Sequence, residues 1–128
     1  MVGQYVLAIE RNWRIRKLIR ANLEPLGLRV REAVGEQHDL LQLGCDRPDL
    51  ILLDLDLDLP DEDLMEMLHT LHVQWAGHPV PIVVMSAEPP SRQLMQQGQI
   101  AGHLLKPFAV PSLLAQVQNA LANPSAGD

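Results

Sequence analysis

The stretch Arg47–Pro60, RPDLILLDLDLDLP, decides how this chain folds. Leu50–Leu53 are four consecutive aliphatic residues, bounded by Pro48 on one side and by Asp54 on the other. A run this short and this uniformly apolar reads as a strand buried on both faces. Such a strand belongs in the middle of a parallel sheet that carries helices on either side. Its carboxyl end runs at once into acidic residues, Asp54, Asp56 and Asp58, before Pro60 breaks the chain.

Working outward, the same pattern repeats. Downstream, residues 61–75 place Leu64, Met67, Leu68, Leu71 and Trp75 on one helical face. Asp61, Glu62 and Asp63 occupy the first turn, where the helix dipole favours negative charge. Pro81–Met85 reads as a fourth strand, Ser91–Gly98 as a short helix after Pro89 and Pro90, and His103–Leu105 as a brief fifth strand. Pro111 opens a last helix with Leu113, Leu114, Val117 and Leu121 inward. Upstream, Tyr5–Ile9 is a buried first strand. Residues 12–26 form an amphipathic helix capped by Asn12 and closed by Gly27, with Ile15, Leu18, Ile19, Asn22 or Leu23, and Leu26 on its apolar stripe. Leu28–Ala33 alternates as an edge strand does, Gly35 starts a turn, and residues 36–44 form a second helix. The expected unit is one domain over residues 1–122, followed by a polar tail at 123–128.

Composition agrees with a single α/β domain. The chain has 128 residues, 47% of them hydrophobic, enough for a core. The single cysteine, Cys45, cannot form an internal disulfide and reads as a small loop residue. No basic, apolar leader and no membrane-length apolar run is present, which predicts a cytoplasmic protein without membrane contact. The net charge of −6 argues against direct nucleic-acid binding. The charge is uneven: residues 1–31 carry seven basic residues against two acids, +5, and the other 97 residues carry −11. A solvated basic helix face explains such a run, and a surface for an acidic partner is the sharper alternative.

In an open parallel sheet, chemistry collects at the carboxyl ends of the strands. There the sequence places Glu10 and Arg11 after strand one, Asp54 and Asp56 after strand three, Ser86 and Ala87 after strand four, and Lys106 and Pro107 after strand five. Carboxylates, a hydroxyl and a lysine together suit phosphoryl chemistry. Carboxylate oxygens hold divalent cations, while lysine and hydroxyl groups contact phosphate oxygens. His69, His72 and His78 lack a fourth partner for zinc and read as surface histidines, and Met65, Met67, Met85 and Met95 read as core filling.

Over nearly its whole length the chain resembles the receiver domains of bacterial response regulators. RPDLILLD (Arg47–Asp54), LDLPDED (Leu57–Asp63), Ser86–Ala87 and KPF (Lys106–Phe108) carry the resemblance by their order and strand-end placement. It implies a flavodoxin-like, doubly wound five-stranded parallel sheet, strand order 2-1-3-4-5, with helices on both faces. It also implies phosphorelay signalling. An Asp at the end of strand three takes a phosphoryl group from a sensor histidine kinase or phosphotransfer protein, with bound Mg²⁺. A Ser and a Lys contact that group, and the result passes to a downstream protein. The Lys–Pro peptide of such domains is typically cis. Enzymatic activity would be limited to the domain's own phosphorylation and dephosphorylation.

Carried onto this chain, the acceptor is Asp54 by the PDLILLD match. Counting back from Pro60 selects Asp56 instead, and Asp58 is a third choice. Ser86, Lys106 and the two aspartates are the reacting set. Ser86 and His103 are the switch positions, and Glu10, Asp54 and Asp56 are the metal ligands. Three departures stand out. Arg11 replaces the second acid of the usual pair, where it would repel Mg²⁺ and pair with Asp54 or Asp56. Leu64 stands where a glycine is usual, and His103 where an aromatic residue is usual. A pseudo-receiver that docks partners without phosphorylation is therefore an alternative, and a homodimer is compatible with this fold. LILLDLDLDLP also resembles the first motif of haloacid-dehalogenase-like phosphatases, with Asp54 as nucleophile and Asp56 as acid/base.

Overall fold

The apolar runs of the sequence are the strands of the protein. The structure is a computed structural model that describes residues 4–35, 46–56 and 59–122. Strands β1 (Tyr5–Ile9), β3 (Leu50–Asp54) and β4 (Ile82–Ser86) are buried along their whole length. The two margins, β2 (Arg29–Ala33) and β5 (Gly102–Leu105), are only partly covered. All pairings are parallel, in the order β2-β1-β3-β4-β5. This is the architecture expected from the alternation of short apolar runs and amphipathic segments. The helix expected over residues 36–44 lies outside the described residues, as do Cys45, Asp58 and the tail.

Four helices are described: α1 (Trp13–Leu23), α2 (Asp61–Gln74), α3 (Arg92–Gln97) and α4 (Val110–Ala122). Alternation along the strands sends side chains to two opposite faces. Val6, Ala8, Leu50, Leu52, Val83 and Met85 pack against Ile19 and Leu23 of α1 and against Leu113 and Val117 of α4. Leu7, Ile9, Ile51, Leu53, Ile82 and Val84 pack against Leu68 and Leu71 of α2 and Leu94 of α3. The sheet is thus a middle layer, dry on both sides.

Local chemistry sets the ends of the elements. Asn12 Oδ1 accepts from the Arg14 N–H at 2.9 Å and starts α1, while Ser91 Oγ accepts from the Leu94 N–H at 3.0 Å and starts α3. The first helix stops at Leu23, earlier than its apolar stripe suggested. Glu24–Leu26 tighten into a 3₁₀ turn containing Pro25, and Gly27 closes it at φ +87°. That tighter turn carries Leu26 off the stripe, and both Leu26 and Leu18 are exposed. Strand β4 begins at Ile82 and not at Pro81, because Pro81 has no N–H to give the ladder; its carbonyl accepts from the Ile51 N–H at 3.0 Å. Arg47 donates to the carbonyls of His78 and Pro79, which ties the approach to β3 to the approach to β4. Among the described residues no helix is long and apolar enough to cross a membrane.

The two-faced core makes a simple forecast. Leu52 is fully buried in the central strand, so Leu52→Ala should lower the urea-unfolding free energy by about 2–5 kcal/mol. Val73, on the outer side of α2, is 57% exposed. Val73→Ala should change that free energy by less than about 0.5 kcal/mol.

Candidate functional site

Three strand ends and one turn bring four of the singled-out side chains together. Glu10 directly follows β1, and its N–H donates to the Ala33 carbonyl of β2 at 2.9 Å. Asp54 is the last residue of β3, and Lys106 follows β5 at a cis Lys106–Pro107 bond. Lys106 Nζ donates to Glu10 Oε1 at 2.7 Å and to Asp54 Oδ1 at 2.8 Å, and lies 3.7 Å from Asp56 Oδ2. Glu10 and Asp54 are both buried, whereas Asp56 is exposed. Asp54 Oδ1 also accepts the Asp56 N–H at 2.8 Å, and Asp56 Oδ2 accepts the Ala87 N–H at 3.0 Å. The loops after β3 and β4 are thereby laced to one another across the carboxylates.

The other expected residues sit nearby with different attachments. Ser86 ends β4 and is buried, with its hydroxyl donating to the Glu88 carbonyl. His103 is level with Val84 across the β4–β5 pair. It lies on the same face as Ser86, one alternation away. Its Nε2 is buried, with no hydrogen-bond partner among the described residues. Arg11 is exposed, and among the described residues Lys106 contacts both Asp54 and Asp56.

This constellation can be set beside known proteins. A sequence profile of the response regulator receiver domain matches residues 6–118. The chain belongs to this family. The receiver domain is 38% identical over 123 residues to the KDP operon transcriptional regulatory protein KdpE of Escherichia coli (strain K12), covering 94% of this chain and 52% of that protein. It therefore spans about half the length of that curated relative. Among solved structures, the Vibrio cholerae chemotaxis protein CheY4 is similar, with TM-score 0.75 and 26% identity over 91% of this chain and 98% of that one. So is the receiver domain of the sensor histidine kinase PA1611 from Pseudomonas aeruginosa PAO1, with TM-score 0.74 and 27% identity over 94% and 98%. That structure holds a magnesium ion coordinated in its active site cleft. Receiver domains are signalling modules. The phosphatase reading gains no support, because its Asp-x-Asp follows the third strand of a receiver sheet and not the first.

The receiver site has unequal carboxyls. Burial and the neighbouring Asp54 carboxyl push Glu10 up to about 7, against the opposing pull of Lys106 and of the Asn12 N–H. Burial alone would also raise Asp54, but hydrogen bonds from Glu10, Lys106 and the Asp56 N–H outweigh it and hold Asp54 below the ordinary carboxylate range. Burial would likewise depress the Lys106 ammonium, and its two carboxyl partners hold it above the ordinary lysine range instead. Glu10 therefore keeps a proton when Asp54 has lost its own, as two carboxyls sharing one site do.

The expected metal set of Glu10, Asp54 and Asp56 does not fit a divalent cation as arranged. Glu10 commits one oxygen to Lys106 and the other to the Asn12 N–H, at 3.3 Å. Lys106 bridges Glu10 and Asp54, the carboxyls a cation would otherwise join. Among the described residues no three His, Cys, Asp or Glu side chains converge to hold a metal. His72 Nε2 lies 2.9 Å from the Gly98 carbonyl, and His69 and His78 are exposed.

Sequence reasoning missed Arg16. Its guanidinium donates to the backbone carbonyls of Glu10 (2.7 Å) and Arg11 (3.0 Å) and pairs with Glu32 at 2.9 Å, fixing the β1–α1 loop. Arg20 pairs with Glu24 and Glu32. Arg16 and Arg20, two of the seven cations of the basic run, are therefore paired within the domain, both of them with Glu32. An arginine six positions past a strand-end acid is too common a spacing to have signalled this.

The raised Glu10 group gives a pH test with a definite sign. Its carboxyl titrates higher in the folded chain than its ordinary 4.5, so folding binds a proton there. The stability it lends is complete below pH 4.5 and is lost as pH rises through about 7. Asp54, shifted the other way, acts only below its ordinary 3.8 and leaves that window clear. Glu10→Gln has no proton to lose, so its stability relative to the wild type should climb across this window by on the order of 3 kcal/mol. Chemical denaturation at a series of pH values would read the climb; a flat difference would show that Glu10 is not raised.

Proposed function

We propose that this receiver domain accepts a phosphoryl group on Asp54 and passes the resulting change to a downstream protein. The observation that carries this is the 2.8 Å contact between Lys106 Nζ and Asp54 Oδ1 at the carboxyl end of β3. Asp54 is held ionised, so an oxygen is ready to attack phosphorus. The donor would be a phosphohistidine of a sensor kinase or phosphotransfer protein; its N–P bond breaks as the new O–P bond forms. The Lys106 ammonium then balances charge on the incoming oxygens. Ser86, turned toward the Glu88 carbonyl, has to rotate to meet them. Asp56 flanks the acceptor and contributes charge at the mouth of the cleft. Lys106 bridges Glu10 and Asp54, so these carboxyls are not arranged around a divalent cation. The domain's own chemistry would be confined to gaining and losing this one group.

A second reading has specific support. With Arg11 in place of the second acid and Lys106 closing on both buried carboxyls, the site is complete without any addition. The domain would then dock partners in a single charge state, independent of phosphorylation.

One experiment separates the two. Beryllofluoride, a phosphoryl mimic, is added to ¹⁵N-labelled protein with and without Mg²⁺, and amide shifts are followed for the wild type, Asp54→Ala and Asp56→Ala. The proposal expects shifts at Ser86, Ala87 and Lys106 that vanish in Asp54→Ala and survive in Asp56→Ala. Loss in Asp56→Ala alone would move the acceptor by two residues. No response at millimolar Mg²⁺ would select the docking module.

A further inference from the structure

Helix α3 is held to the domain at its two ends by different means. It spans Arg92–Gln97, with Leu94 buried and Arg92, Gln93, Gln96 and Gln97 exposed. A helix this short has little stability of its own, so its attachments set its position. Ahead of it, the Ala87 N–H donates to Asp56 Oδ2 at 3.0 Å and the Ser86 hydroxyl donates to the Glu88 carbonyl, both on the edge of the Asp54 cleft. Ala87, Glu88 and Pro89 are exposed. The leading end of α3 is therefore tied to the acceptor site.

The trailing end is tied to α2. Gly98, directly after α3, is buried, and a methyl group added to it would come within 2.6 Å of the Leu94 carbonyl oxygen and 2.8 Å of Leu68 Cδ1. Only a hydrogen fits between this backbone and α2. One turn along α2 from Leu68, His72 donates from Nε2 to the Gly98 carbonyl at 2.9 Å. Carbonyls at the end of a helix lack a partner within it, and the imidazole N–H supplies one here. Gln99 follows at φ +52°, a left-handed conformation that a residue with a side chain keeps only where its surroundings hold it. The Ile100 N–H then donates back to the Met95 carbonyl at 3.1 Å, and the Ala101 N–H donates to the Ile82 carbonyl of β4 at 2.8 Å. These successive contacts make the trailing end a fixed point.

We propose that His72 pins this fixed point, so that α3 answers the acceptor site by pivoting about Gly98 instead of sliding as a whole. A change at Asp54 that draws Ser86 or Asp56 away loosens the loop ahead of α3, while His72 and Leu68 keep hold of Gly98. The helix is about 9 Å long, a lever whose leading end moves while Gly98 stays in place. His72 acts through the backbone of another element and touches no reacting atom, which makes it a positioning residue. The swing rests on Asp54 being the acceptor; the pin does not.

Three substitutions test the pin in the resting protein. His72→Phe keeps a ring and removes the donor. His72→Gln removes the ring and keeps a donor nitrogen the same number of bonds from the backbone. Hydrogen exchange at Gly98, Gln99 and Ile100 should run about tenfold faster in His72→Phe and return toward the wild-type rate in His72→Gln, with Leu68 and Leu71 unchanged in both. Asp56→Ala releases the leading end without any phosphoryl group. Its amide shifts should be large over residues 87–94 and die out by Gly98; in Asp56→Ala combined with His72→Phe they should run on through Ile100. Wild-type exchange rates in His72→Phe, equal acceleration at Leu68 and Leu71, faster exchange that His72→Gln does not restore, or Asp56→Ala shifts as large at Ile100 as at Ala87 would each overturn the proposal. None of these measurements uses beryllofluoride, so a protein that ignores that mimic loses the phosphoryl-acceptor reading and keeps the pin.

Discussion

One ammonium group holds the functional end of this domain together. Lys106 reaches two buried carboxyls that are 96 and 52 residues away from it in sequence. Two such carboxyls without a cation between them would repel each other in a poorly solvated site, and one would have to take a proton. The lysine decides which carboxyl that is: it holds Asp54 below its ordinary range and is itself held charged, while burial leaves Glu10 raised to about 7. Networks of this kind are all-or-none: complete, they fix a geometry, and with one member missing they leave an uncompensated charge. The carboxyl ends of β1, β3 and β5 are thereby tied at one point.

The departure at Glu10–Arg11 is better understood as a rearrangement than as a loss. Glutamate is one methylene longer than aspartate and can touch both the lysine and the Asn12 N–H from the end of β1. Arg16 holds the loop in place by its carbonyls, so the backbone there does not depend on a bound ion. In this cleft Lys106 bridges Glu10 and Asp54, and burial holds the Glu10 carboxyl above its ordinary range.

Much of this was legible in the sequence, and the exceptions have physical reasons. LILL, IVVM and YVLAI announced buried strands because residues covered on both faces have no room for polar groups. Asp54, Ser86 and Lys106 were legible because each stands where an apolar run stops, and parallel strands place all such stops on one edge. The 3₁₀ turn at Glu24–Leu26 was not, since apolar spacing continues through Pro25 while the backbone does not. The ion pairs of Arg16 and Arg20 with Glu32 were hidden because a helix and a strand must first be docked before those charges meet. The contact of His72 with Gly98 was hidden for the same reason: it joins α2 to the end of α3, 26 residues on, and no short motif marks it.

The strand order has a consequence for how the chain comes together. β1 lies second in the sheet, with β2 on one side and β3 on the other. Its partner on the β3 side lies far downstream: the Tyr5 N–H finds the Asp49 carboxylate 44 residues away. During synthesis the first strand must therefore wait, with its apolar edge unpaired, until the third has left the ribosome. Proteolysis that removed the first nine residues would likewise strand β2 without a neighbour, splitting the sheet from within where loss of β5 would merely trim its margin.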